Sequence, residues 1–182
     1  MSNVYHQHMT QRVPSDPHWR VNCTAYCAAM CINDSVLGGL YDVSGQRIRA
    51  LSSEPSPDPA SPGLSIKQVL SVAIKHYGAK MADRSGASWS EVMAALHNNA
   101  RILLQIDYAT LGSARCQANG DFGHAVVLVR DSGTNTILAS DPLCSAPKNY
   151  SENALRAAAT KFGNENGGHL WWAMTRPVPI LR

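Results

Sequence analysis

The chain has 182 residues, 45% of them hydrophobic, with a formal net charge of +3 and five cysteines. That length fits one domain with a sizeable core, and the composition is that of a soluble globular chain. No basic cluster marks a nucleic-acid partner, and the apolar runs, such as residues 125–129, are far too short to span a bilayer.

The N-terminus, Met-Ser-Asn-Val-Tyr-His-Gln-His, lacks the apolar core of a secretory signal. The expectation is a chain made in the cytoplasm, its odd set of cysteines reduced rather than organised as a disulfide framework. Residues 1–22 are polar, carry Pro14 and Pro17, and read as an extended arm with turns. His6 and His8 alternate around Gln7 and read as a solvated pair rather than a metal site.

Residues 21–32, Val-Asn-Cys-Thr-Ala-Tyr-Cys-Ala-Ala-Met-Cys-Ile, predict a helix that starts at Asn22 and Cys23. It has no charge on any side, the pattern of a buried helix. Cys27 and Cys31 read as core residues. Cys23 stands where unpaired backbone N–H groups and the positive end of the helix dipole favour a thiolate. Three cysteines spaced by four make a poor zinc site, because no second ligand pair lies nearby. Neither a metal nor a cofactor is expected.

Residues 38–42 form a turn before residues 46–51. Residues 52–63 hold four prolines and read as a surface loop, so that 1–182 forms a single domain. Ser65 and Gln68 make a capping box. The helix behind it places Ile66, Val69, Leu70, Ala73, Ile74 and Tyr77 on one face and ends at Gly78. Ser88 and Glu91 make a second capping box, opening a helix through Val92, Ala95 and Leu96 that stops near Asn98 and Asn99. Residues 101–107 read as a strand, 108–122 as a loop, and 123–130 as the strongest strand in the chain. Residues 132–135 turn, so 136–140 pairs back as a hairpin. Residues 149–162 predict a last helix, capped by Asn149 or Ser151 and stopped by Gly163. Residues 170–175 give a closing strand before Pro177 and Pro179. Early helices and late strands argue an α+β fold with an antiparallel sheet.

A cysteine nucleophile needs a base, an orienter for that base, and donors for the oxyanion. His124 leads the strongest strand beside the small Gly123, and Asp141 ends the partner strand at the open end of the hairpin. Gln11 offers a neutral donor to complement the Cys23 backbone N–H.

These pieces, in this order, resemble the papain-like cysteine peptidases, and in particular the C39-like group related to bacteriocin-leader peptidases. The matching stretches are Gln11-Arg12 followed by Asp16-Pro17-His18-Trp19, then Asn22-Cys23-Thr24-Ala25-Tyr26-Cys27-Ala28-Ala29-Met30, then Gly123-His124-Ala125-Val126-Val127-Leu128-Val129, then Ser140-Asp141-Pro142. Thr24 stands where many relatives have Gly. The resemblance implies a papain-like fold, with the Cys helix packed on the sheet that carries His and Asp. It implies Cys23 as nucleophile, His124 as base and then acid, Asp141 as orienter, and Gln11 in the oxyanion hole, with Gln7 as the alternative. The activity it implies is acyl-thioester chemistry on a peptide or peptidoglycan amide bond. The setting it implies is a bacteriophage tail-tip or lysis protein among other virion proteins. Two rival readings use the same residues differently: a structural or binding module of a phage assembly that keeps the fold without catalysis, and an amide-exchanging acyltransferase.

Overall fold

The computed structural model describes residues 8–12, 21–35, 42–52, 63–116, 122–131 and 133–176. The motif at residues 16–19, Gln7, His6, the turn at 38–41, most of the proline-rich loop and the closing prolines lie outside the described residues.

The first helix, α1, spans Cys23–Ser35 and is buried along its whole length. Alanine and cysteine on all sides let the rest of the fold close around it, as a helix without a polar face requires. α2 (Gly45–Leu51) follows, capped by Ser44, whose hydroxyl accepts from the Arg47 N–H at 3.2 Å. α3 (Ile66–Tyr77) opens on the expected capping box. There the Ser65 N–H donates to Gln68 Oε1 at 2.7 Å, and the Gln68 N–H donates to Ser65 Oγ at 3.3 Å. Ile66, Val69, Leu70 and Ala73 face the core, whereas Ile74, expected on the same face, is 53% exposed. Val72 is buried instead, so the apolar stripe is turned by part of a helical step.

A short strand absent from the sequence reading, β1 (Met81–Asp83), precedes α4 (Trp89–His97). The Ser88–Glu91 box is formed at its start, with the Ser88 N–H donating to Glu91 Oε2 at 2.8 Å. β2 (Arg101–Asp107) and β3 (Gly123–Asp131) are the central strands. Between them the expected loop contains a 3-10 helix, Tyr108–Ala114, capped by Asp107 accepting from the Thr110 N–H at 2.9 Å. β4 (Thr136–Ser140) returns from β3 as predicted. α5 spans Glu152–Glu165, and the cap is Ser151. The helix runs through Gly163 rather than stopping there. Gly163 is instead a point of close approach, where a Cβ would come within 2.5 Å of the His169 carbonyl oxygen. β5 (Trp172–Thr175) closes the chain described.

The strands form one antiparallel sheet in the order β1-β5-β2-β3-β4. Period-two alternation sends Ala125, Val127 and Val129 of β3 to one face, where they pack on α1 and share a core with residues of α2 and α3. Val126 and Leu128 point to the other face, with Ile102, Leu104 and Ile106 of β2, under α4 and α5. The architecture is α+β, with helices on both sides of the sheet. Among the described residues no helix is long and apolar enough to cross a membrane.

The cysteines divide differently from the expectation of reduced thiols. Cys116 and Cys144 form a disulfide with Cα atoms 5.4 Å apart, while Cys23, Cys27 and Cys31 are free and buried. The pairing joins the end of the 3-10 helix to the turn after β4, two segments 28 residues apart that no local pattern connects.

Candidate active site

Three of the four expected side chains are brought together at one end of α1. Cys23 is the first residue of the helix, and Asn22 before it supplies the carbonyl that accepts from the Tyr26 N–H at 3.0 Å. Asn22 is itself braced by the Arg49 Nε–H of α2, while Arg49 Nη2 donates to the Val21 carbonyl at 3.4 Å. The step into the helix is therefore fixed from below by a buried guanidinium.

His124 sits at the second position of β3 and is 2% exposed. Gly123 before it lies against Phe162 of α5, where a Cβ would approach the ring to 2.6 Å. The Tyr108 ring meets the imidazole edge-on at 4.6 Å between centroids, and Phe122 meets it at 6.1 Å. These aromatics exclude water and hold the ring's tilt.

The β3–β4 register pairs Val127 with Ser140. One step further sets Asp141 beside Val126, and His124 is then its diagonal neighbour on the same face. The His124 Nε2–H donates to Asp141 Oδ1 at 2.7 Å, and both side chains are buried. The carboxylate also accepts from the Leu143 N–H on Oδ1 at 2.8 Å and from the Tyr150 hydroxyl on Oδ2 at 2.9 Å. Three donors on one buried acid hold it ionised. Burial pushes its pKa up, but His124, Leu143 and Tyr150 outweigh that and hold it below the ordinary value.

With Nε2 given to Asp141, the buried Nδ1 remains and makes no conventional hydrogen bond. The Cys23 thiol is coupled to the same ring. Burial alone would raise the thiol pKa, yet the neighbouring His124 ring and its charge, the Ala125 N–H and the Thr24 hydroxyl bring it down. Burial likewise opposes the imidazolium, and Asp141 and Cys23 raise it to about 9. The arrangement favours a thiolate–imidazolium pair. Cys27, one turn along the same helix, has its pKa pushed well up by burial and then by the charges of Cys23, Cys31 and Asp141. Cys31 is pushed up by burial as well. Position at the helix start and the neighbouring ring separate one thiol from two inert ones.

Gln11 is 1% exposed and stands on the turn that follows Asp141, its N–H donating to the Pro142 carbonyl at 2.8 Å. The Thr10 hydroxyl donates to the same carbonyl at 3.1 Å, and His8 Nε2 lies 3.1 Å from the Cys144 carbonyl. The described part of the N-terminal arm is thus tied to residues 142–144. The disulfide ties that turn to Cys116, whose N–H donates to the Tyr108 hydroxyl at 2.9 Å. The two sulfurs lie within 4.8 Å of an Asp141 oxygen, but being bonded to each other they offer no thiolate to a metal.

Tyr150, the Leu143 N–H and the disulfide escaped the sequence reading. Tyr150 directly precedes the Ser151 cap, and the buried Leu155 stands at the fourth helical position. That pattern reads as a hydrophobic staple and gives no hint that the hydroxyl has a partner.

No protein-family model matches the chain, and no curated protein matches it. Among solved structures, a Bacillus anthracis protein described as a C39-like peptidase superposes with a TM-score of 0.67 at 14% identity, covering 98% of this chain and 98% of that one. The Pseudomonas avirulence protein AvrPphB matches over 90% of this chain and 94% of its own at 14% identity, with a TM-score of 0.41. The chain has the α+β fold of a C39-like peptidase.

Proposed function

We propose that this protein is a cysteine peptidase or amidase. Cys23 is its nucleophile, His124 its general base and then acid, Asp141 the orienter of the ring, and Gln11 with the Cys23 N–H its oxyanion donors. The observation that carries the reading is the buried chain of contacts from Asp141 through His124 to a thiol at a helix start, with a lowered thiol pKa and a raised imidazole pKa. In this mechanism the thiolate attacks an amide carbonyl, and the carbon–sulfur bond forms as the carbonyl oxygen takes up charge. Collapse of the tetrahedral adduct breaks the carbon–nitrogen bond. The amine leaves with the proton from His124, and water, deprotonated by His124, then cleaves the thioester. Each oxyanion donor contributes about 3–4 kcal/mol to the transition state in enzymes of this kind.

The substrate class is a peptide amide. The finer reading, peptidoglycan stem peptides or cross-bridges cut by a phage tail-tip or lysis protein, is supported by the family resemblance alone. Cell-wall zymography and a panel of short peptides, with wild type beside Cys23→Ala, test both levels. Turnover by the wild type and none by Cys23→Ala at unchanged circular dichroism is the expected result. Undiminished turnover in Cys23→Ala overturns the assignment of the nucleophile. Added amines that appear in product convert the hydrolase into an acyltransferase.

A further inference from the structure

Resting on the reading above, we infer that Tyr150 is a positioning residue. Its hydroxyl fixes the rotation of the Asp141 carboxylate and so determines how firmly His124 holds its proton against Cys23.

Four observations converge on Tyr150. It is 4% exposed, and its hydroxyl donates to Asp141 Oδ2 at 2.9 Å, the oxygen that His124 and Leu143 leave open. Its backbone is gripped from both sides. A bridge two residues earlier, Ala139 with Lys148, has N–H to carbonyl distances of 2.8 Å in both directions, and the helix cap Ser151 follows directly. Its ring is part of the core beneath α4 and α5. Its hydroxyl also lies 3.9 Å from Cys144 Sγ, so the disulfide closes the far side.

The chemistry follows from counting donors. Oδ1 takes two N–H groups, and with them alone the carboxylate can still rock about its Cβ–Cγ bond, carrying Oδ1 off the line to Nε2. A third donor on Oδ2 removes that freedom. Tyr150 is suited to the task because it stays protonated: burial first, and then the adjacent Asp141 charge, push its pKa above the normal tyrosine value. The titratable groups that bear on the carboxylate are His124 from β3, Cys27 from α1 and Tyr150 itself, while Cys23 is coupled to His124. Tyr108 also bears on Tyr150 electrostatically. A change at position 150 is therefore read through His124.

The test needs no substrate. Cys23 alkylation by iodoacetamide is followed across pH by mass spectrometry, in wild type, Tyr150→Phe, Asp141→Ala and the double variant. No reducing agent is added, so the disulfide stays closed. In wild type an acid-range limb reports the thiolate–imidazolium pair. In Tyr150→Phe that limb is expected to move up by half to one pH unit, so that alkylation within it slows about three- to tenfold. Asp141→Ala moves it further, and adding Tyr150→Phe to Asp141→Ala changes nothing more. A limb that stays in place or moves down in Tyr150→Phe overturns the inference. So does an equal displacement in the Asp141→Ala background, which would mark Tyr150 as structural only. Wild-type Cys23 reacting as an ordinary thiol, with no acid-range limb, instead overturns the catalytic reading on which this rests. Thermal melts of all four proteins keep loss of fold apart from loss of the pair.

Discussion

The two ends of α1 each hold a buried acid next to a base at the same distance. At the C-terminal end Asp34 accepts from Arg101 Nε at 2.7 Å, both side chains being 1% exposed or less. At the N-terminal end Asp141 accepts from His124 Nε2 at 2.7 Å, equally buried. Distance and burial do not tell them apart. Guanidinium keeps its proton at any working pH, so the Arg101 pair neutralises a carboxylate lodged near the negative end of the helix dipole. Imidazole has a second nitrogen and a pKa that its surroundings move, so the His124 pair can pass a proton on to Cys23. A buried ion pair becomes machinery only when one partner has somewhere to send its proton.

Exchanging the effects of the two pairs is the sharpest way to break this contrast. His124→Ala should lower kcat/KM per folded molecule by about a thousandfold or more, beside the loss of stability that follows from leaving the buried Asp141 without its imidazole. Arg101→Met should lower stability alone. It strands Asp34 without its guanidinium and costs about 3–5 kcal/mol of stability by chemical denaturation, with Cys23 alkylation per folded molecule unchanged. If Arg101→Met instead abolished Cys23 reactivity in folded protein, the two ends would not be separable.

A smaller effect is expected from the covalent tie on the active-site side. Cys116→Ser with Cys144→Ser releases a loop of 28 residues and should cost roughly 3–4 kcal/mol of unfolding free energy. Turnover should fall less than in His124→Ala, because the Leu143 and Tyr150 donors to Asp141 remain. A fully active and equally stable double serine variant would remove the disulfide from the account.

The smallest effect is with pH. His124 is raised in the folded chain, so its contribution to stability is complete below the unfolded value of about 6.5 and is lost as pH climbs through about 9. Activity should show an alkaline limb in that region, where the imidazolium gives up the proton needed by the leaving amine. A pH–rate profile flat to pH 10 would contradict the imidazolium assignment.

Much of this was legible in the residues because long periodic stretches carry strong signals. The alternation in β3, the capping boxes at Ser65 and Ser88 and the chargeless α1 all have one cheap physical solution each. The juxtaposition of His124 and Asp141 could be read because one short hairpin joins them. Features formed by the tertiary fold were not legible. β1 has three residues, too few to show an alternation. Ile74 sits at the boundary of its stripe, where a small rotation of α3 decides exposure. Gly163 resembles a helix stop, but its missing side chain makes room for a neighbouring backbone. Cys116 finds Cys144 only after β3 and β4 have paired, and the Tyr150 hydroxyl finds Asp141 through a bridge that the sequence does not announce.

The disulfide has a practical corollary for anyone handling this protein. The protein's sulfur atoms ask for opposite conditions: Cys23, as the proposed nucleophile, needs a free thiol, whereas Cys144 supports the Asp141 turn while bonded to Cys116. A strong dithiol added to protect the first would unfasten the second, and an oxidant added to fasten the second would consume the first. Preparations made at different thiol strengths should therefore differ in specific activity, and that difference is itself a measure of how far the turn depends on its clasp.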